Sequence, residues 1–332
     1  MKLRFTFATL AAALSAAAPG IVAAQAQVQT QAWPCPTVKY IVGFAAGGTT
    51  DLIGRMLQPE LQKALGVGIV IENHPGAGGN IGGAMLAKAR PDGCTIGGGT
   101  VSSHAINVSL YGAKMPYDPV RDFSHLALAA TLPNVLVVNP SVPANNVREL
   151  IAHLKANPGK LAFASAGNGT SQHMSGELFK TMTGTEIQHI PYKGSAPGTG
   201  AVLAGEVQMM WENALIAIPH VKAGKLRALG ITADKPSAAL PGIPAIADAG
   251  GLPGYSITSW QGVFAPAGVP SELVRRLNTE INRILQTPEM KEKLANLGAD
   301  GAAMSSEQFT NFIRAEIAKF AEVVKKSGAK ID

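Results

Sequence analysis

The sequence predicts an α/β fold in two lobes, each a mainly parallel sheet flanked by helices. Three observations carry this. Short apolar runs alternate with helical patterns almost from end to end, the rhythm of βαβ units. The runs are apolar on consecutive residues, as in strands buried on both faces. The rhythm restarts near mid-chain, and the length suits two domains of ordinary size.

The elements follow in order. Val38–Phe44 reads as a strand and Asp51–Leu65 as the helix after it, with Pro59 expected to kink or split that helix because it lacks a donor. Val67–Glu72 is a strand, Asn80–Arg90 helical, Thr95–Gly98 a strand, and His104–Tyr111 a short helix. In the second half Val135–Val138 is apolar, and Asn146 caps a helix over Val147–Ala156 that Asn157-Pro158-Gly159 stops. Leu161–Ala164, Glu186–Ile190, Val207–Trp211 and Leu226–Ile231 read as strands, with Ser171–Thr183 helical among them. A Pro/Gly-rich connector covers Pro236–Gly254, Ser256–Phe264 is extended, and helices fill Ser271–Gln286, Pro288–Leu297 and Ser305–Lys326. Segments near 130–140 and 254–264 are placed to pass between the lobes. The expected division is 27–134 plus 256–332 for one domain and 135–255 for the other.

The N-terminus reads as an export signal. Lys2 and Arg4 precede an apolar run over Phe5–Ala18, and Ala24-Gln25-Ala26 forms an A-x-A cleavage pattern, giving a leader over 1–26. The run is shorter than the roughly 20 residues a spanning helix needs. Loss of Lys2 and Arg4 lowers the formal charge from +6 to +4. The remaining charges are scattered, which gives no case for nucleic acid and a mild bias towards anionic ligands. Cys35 and Cys94 each lie just before a strand. If those strands are parallel neighbours, the cysteines share one sheet end, where they either bridge or stay as two buried thiols.

Two loops have the makings of an anion site. Gly43-Phe44-Ala45-Ala46-Gly47-Gly48-Thr49-Thr50-Asp51 runs from a strand through a Gly-rich turn into a helix, whose start offers unpaired N–H groups and the positive end of a dipole. Thr49 and Thr50 add hydroxyls, and Asp51 is placed to hold the turn. Ser165-Ala166-Gly167-Asn168-Gly169-Thr170-Ser171 repeats the pattern in the second half. Facing each other, the two loops could hold a carboxylate without an Arg. Candidate lining residues are Phe44, Ala45, Gly47, Gly48, Thr49, Thr50 and Asp51 from the first loop, and Ser165, Gly167, Asn168, Gly169, Thr170 and Ser171 from the second. Ser102, Ser103, His173, Tyr192, Trp211 and Asn213 are secondary candidates at strand ends and nearby. A third glycine cluster, Pro75–Gly82, misses the dinucleotide fingerprint because Ile81 stands where its last glycine belongs, and reads as structural.

Catalytic constellations are missing from the sequence. No Lys follows the first glycine loop, no G-x-S-x-G surrounds Ser165 or Ser195, there is no H-E-x-x-H or C-x-x-C, and the seven His are dispersed. No cofactor or metal is expected.

Six stretches carry a resemblance to a known family: Ile41–Asp51, Val70–Asn80, Pro91–Thr95, Pro191–Pro197, Lys222–Arg227 and Gly262–Pro270. Together and in this order they resemble the Bug family of periplasmic binding proteins, the receptors of tripartite tricarboxylate transporters. The resemblance implies a two-domain Venus-flytrap fold and a non-enzymatic periplasmic receptor, expected to be monomeric. It implies a small carboxylate held between the first loop and the Ser165–Ser171 loop, often through ordered water, and membrane transporter subunits as partner. Cys94 stands where the family usually has an aromatic residue, and Pro244-Ala245 where it has Pro-Thr. A rival reading keeps the binding fold but feeds a sensor kinase. Another makes the chain a nucleotide-dependent or hydrolytic enzyme.

Overall fold

The computed structural model describes residues 1–2, 32–235 and 237–331. The leader expected over 1–26 therefore lies almost wholly outside the described residues. No described helix is long and apolar enough to cross a membrane.

Helices and strands alternate as β1 (Thr37–Val42), α1 (Thr49–Leu65), β2 (Gly68–Asn73), α2 (Asn80–Ala87), β3 (Thr95–Thr100), α3 (Asn107–Tyr111) and β4 (Phe123–Val138). The order continues with α4 (Val147–Ala156), β5 (Ala162–Ser165), α5 (Ser171–Thr183), β6 (Gln188–Pro191), α6 (Ser195–Ala204), β7 (Met209–Asn213) and α7 (Ala214–Lys222). It closes with β8 (Arg227–Ile231), α8 (Ile246–Gly250), β9 (Thr258–Pro266), α9 (Ser271–Leu285), α10 (Pro288–Asn296) and α11 (Ser306–Ser327). A π-helical turn over Ser102–Ile106 leads into α3.

The sheet is parallel on its flanks and antiparallel in the middle. β2, β1 and β3 are parallel neighbours at one end, and β6, β5 and β7 at the other. Between them β9 runs antiparallel to β3 and β4, and β4 antiparallel to β7 and β8. Each half is thus more mixed than the βαβ rhythm alone implies. The two long strands enter and leave rather than cross over helices, so they are free to pair antiparallel. β4 pairs with β9 up to Pro133 and with β7 and β8 from Asn134 onward. It belongs to both halves. The return passage is tied at the same place: the Ile257 N–H donates to the Thr232 carbonyl, and the Asn134 N–H to the Thr232 hydroxyl.

Local chemistry explains the element ends. Asn146 caps α4 by accepting from the Glu149 N–H, and Ser305 and Gln308 form a reciprocal capping box on α11. Of the kink or split expected at Pro59, the split does not occur, since α1 runs through it as one helix. Leu57, Leu61 and Leu65 flank the proline and are buried on one helix face. Their packing offsets the cost of the missing hydrogen bond. The connector expected over Pro236–Gly254 contains the short helix α8.

The core runs across both halves. Val101 and Ile106 from the first belong to one buried cluster with Leu136, Phe163, Phe179 and Trp211 from the second. α11 spans the same boundary: Phe309, Ile313 and Phe320 are buried in that cluster, and Thr181 on α5 donates to the Ser327 carbonyl. Pairing of Lys39 with Thr95 puts Cys35 and Cys94 at one sheet end, where a disulfide joins them with Cα atoms 6.0 Å apart.

Candidate functional site

A pocket lies between the two halves. The first half contributes Phe44, Gly48, Thr49, Thr50, Thr100, Ser102, Ser259 and Gln261. The second contributes Ala166, Thr170, Ser171, Gln172, Ser195 and Asn213. None of these side chains carries a charge.

Helix starts converge on this space. Gly48, Thr49 and Thr50 open α1, and Thr170, Ser171 and Gln172 open α5. Ser195 begins α6, and Asn213 is the residue before α7. First-turn N–H groups have no acceptor within their own helix, and each helix start carries roughly half a positive charge. Four such ends around one uncharged cavity form a positive site built from main chain.

Side chains tune the donors. The Thr49 hydroxyl is buried on the pocket wall with no hydrogen-bond partner. Thr50 donates to Gln261 Oε1 at 2.9 Å. Asp51 sits behind the loop and holds it: one carboxylate oxygen accepts from the Gly47 N–H at 2.9 Å and Arg55 at 2.8 Å, the other from Asn73 at 3.1 Å. Burial pushes the Asp51 pKa up, but the bonds from Arg55, Gly47 and Asn73 outweigh it and hold the carboxyl below its ordinary range.

The second loop is braced from beneath. Ser165 is fully buried, its hydroxyl bonded to the Gly167 carbonyl and to His189 Nε2 at 2.7 Å. His189 stacks on His173, which accepts from the Gly169 N–H. Burial brings His173 down to about 4 and His189 to about 3, with the Lys180 charge adding to both and His173 adding to His189, so both rings are neutral near pH 7. The Thr170 hydroxyl caps α5 and donates to the Gly167 carbonyl. Gln172 ties Ser195 and Glu212 to the loop: its amide donates to both, while its carbonyl accepts from the Ala166 N–H.

Of the residues singled out from sequence, the structure brings Phe44, Gly48, Thr49, Thr50, Ser102, Thr170, Ser171 and Asn213 to the pocket wall. Others lie behind it. Gly47, Gly167 and Gly169 shape the loops at positive φ, and Ser103 bonds to His104. Trp211 fills core against Phe163 and Phe179, and Tyr192 packs on the second half's outer cluster. Ala45 and Asn168 meet the opposite half. The Ala45 N–H donates to the Lys193 carbonyl at 3.1 Å, and Gly78 packs against the Asn168 carbonyl. That contact gives the third glycine cluster a part in joining the halves.

Sequence reasoning missed Thr100, Ala166, Gln172, Ser195, Ser259 and Gln261. Thr100 and Gln261 are cross-strand partners of β3 and β9, a pairing with no local signal. Ser195 had one: it follows Gly194 at the start of a helix, the pattern used to find the other two loops.

The fold and pocket are those of a two-lobed solute-binding protein rather than an enzyme. The chain belongs to the tripartite tricarboxylate transporter receptor family, whose model matches residues 53–329. Among curated relatives, BugT of Bordetella pertussis is 36% identical over 307 residues, covering 92% of this chain and 94% of that protein. A structure of R. palustris Rpa4515 with adipate is 38% identical with a TM-score of 0.87, covering 90% of this chain and all of the other. MatC from Rhodopseudomonas palustris with bound malate is 31% identical with a TM-score of 0.83, covering 88% of this chain and 99% of the other.

Proposed function

We propose that this protein is an exported periplasmic receptor that captures a small organic carboxylate between two lobes, 27–134 plus 256–332 and 135–255, and delivers it to membrane transporter subunits. One observation carries the reading. The unpartnered Thr49 hydroxyl stands in a charge-free pocket where four helix starts meet. A buried hydroxyl without a partner costs about 1–3 kcal/mol. An anion that accepts from it and from the main-chain amides of Thr49, Thr50, Ser171 and Gln172 removes that cost. Charge-assisted bonds contribute about 1.5–3 kcal/mol each. A few therefore suffice for micromolar binding, near −8 kcal/mol, after the costs of association. The adipate and malate held by two similar proteins support a carboxylate.

Capture works by closure. The halves meet around the pocket, so ligand enters an opened form, and the second lobe closes over it about the strands they share. Ligand contacts made only in the closed form stabilise it.

A thermal-shift screen of the mature protein with adipate, malate, citrate and benzoate tests the reading. An acid at a hundred times its Kd stabilises the fold by about 2.7 kcal/mol. Stabilisation by a neutral sugar or an amine, with none of the acids active, would overturn it.

A further inference from the structure

Behind the pocket wall lies a carboxyl that the binding reading does not use. Glu212 is the penultimate residue of β7, with its side chain fully buried. Oε1 accepts from Gln172 Nε2 at 2.8 Å, Ser195 Oγ at 3.0 Å and the Asn213 N–H at 2.7 Å. Oε2 accepts from Thr199 Oγ1 at 2.6 Å. Gln172, Ser195 and Asn213 are themselves pocket-lining residues, so one side chain separates this carboxyl from the captured group.

The carboxyl has no cationic partner among these bonds. The elements packed against β7 are β4, β5, α5, α6 and α7. Their titratable residues are His125 in β4, His173, Glu177 and Lys180 in α5, and His220 and Lys222 in α7, with none in β5 or α6. None of them bonds to Glu212. Lys180 pairs with Glu177, and His173 is engaged with the Gly169 N–H. On the first half, Asp51 is already committed to Arg55.

From this arrangement we infer that Glu212 takes up a proton as the carboxylate ligand binds, so that Glu212 and the captured carboxylate group are not ionised together. The converging helix starts are the positive groups available, and the resident and incoming carboxyls draw on the same ones. Two like charges a residue apart in a low-dielectric setting disfavour double ionisation. The proton comes from solvent and has a place to go. On Oε2 it points at Thr199 Oγ1, whose own hydrogen turns to Met210 Sδ, 3.9 Å away. The bonds from Gln172, Ser195 and Asn213 to Oε1 stay as they are. Burial raises the Glu212 pKa above the ordinary carboxylate range even before an anion arrives, although its four hydrogen bonds oppose the rise.

The sign follows. Below the unliganded pKa, Glu212 is already neutral and binding takes up no proton. Between the unliganded and liganded values, Kd rises about tenfold for each pH unit. Above the liganded value it levels off.

This inference rests on the carboxylate reading, and the test separates the two. Adipate and malate are titrated calorimetrically into wild type and Glu212→Gln from about pH 6.5 to about pH 9, where both acids are fully ionised. We expect wild-type affinity to fall with pH by at least about tenfold across the range, and the Gln variant, a permanent mimic of the neutral state, to bind with a flat profile. Repeating the wild-type titration in phosphate and in Tris, which differ in ionisation enthalpy, should show net uptake of up to about one proton per acid bound. Matching pH profiles in the two proteins would overturn the proton coupling and leave the carboxylate reading standing. If the variant does not fold, the wild-type titration decides alone: no uptake at any pH overturns the coupling. Failure of both acids to bind either folded protein would remove the carboxylate reading and the coupling with it.

Discussion

Thr49 and Asp51 sit two residues apart and do opposite work. Asp51 spends its carboxylate on its own loop, bonding Gly47, Arg55 and Asn73. Thr49 spends nothing, since its buried hydroxyl has no partner. Thr49→Ala should therefore weaken adipate binding about tenfold to a hundredfold, the loss of one charge-assisted bond. The unliganded variant should melt no lower than wild type, because the deleted group was a buried polar atom without a bond. Unchanged affinity, measured by calorimetry, would remove Thr49 from the site. Thr49 was legible in the sequence because a strand, a glycine turn and a hydroxyl at a helix start lie within a few residues. The partners of Glu212 were not. Gln172, Ser195 and Thr199 come from two helices, and only the packing of those helices on β7 brings them to one carboxyl.

The elements divide the work between holding and moving. β4 is shared by the two halves and α11 is anchored to both, so these are the parts across which any opening must bend. Contacts at the rim depend on closure instead. Gly169, with φ of 78°, faces Asn107 of the opposite half so closely that an added methyl would overlap the Asn107 side chain. Gly184, at φ of 63°, ends α5 with nothing near it. Both positions strain an alanine by roughly 1–2 kcal/mol, but only Gly169 meets the other half. Gly169→Ala should weaken ligand binding at least about tenfold, since overpacking at a contact typically costs 1–3 kcal/mol. Gly184→Ala should lower stability and leave Kd unchanged. Equal effects on Kd would show that the rim contact plays no part in closure. Element positions were mostly legible from apolar periodicity. The full length of β4 was not: only Val135–Val138 stood out as an unbroken apolar run, because Ser124, His125, Thr131, Pro133 and Asn134 interrupt the leucines and alanines before it. That stretch pairs with β9, a segment distant in the chain.

On the scale of the whole molecule, a chain with scattered charges builds a positive site from backbone alone. The pocket wall carries no Lys or Arg, and its polarity comes from where four helices begin. The two halves each supply a glycine-hydroxyl loop, which is why the repeated α/β rhythm and the two loops could be read together from sequence. Residues that complete the wall from β9 could not, since their place depends on the antiparallel centre of the sheet. The most direct test is a crystal structure of the mature protein with adipate. A carboxylate is expected within hydrogen-bonding distance of the Thr49 hydroxyl, of a first-turn amide of α1 and of a first-turn amide of α5. An acid bound outside the space between the halves, or held there by a Lys or Arg side chain with those amides unengaged, would contradict it.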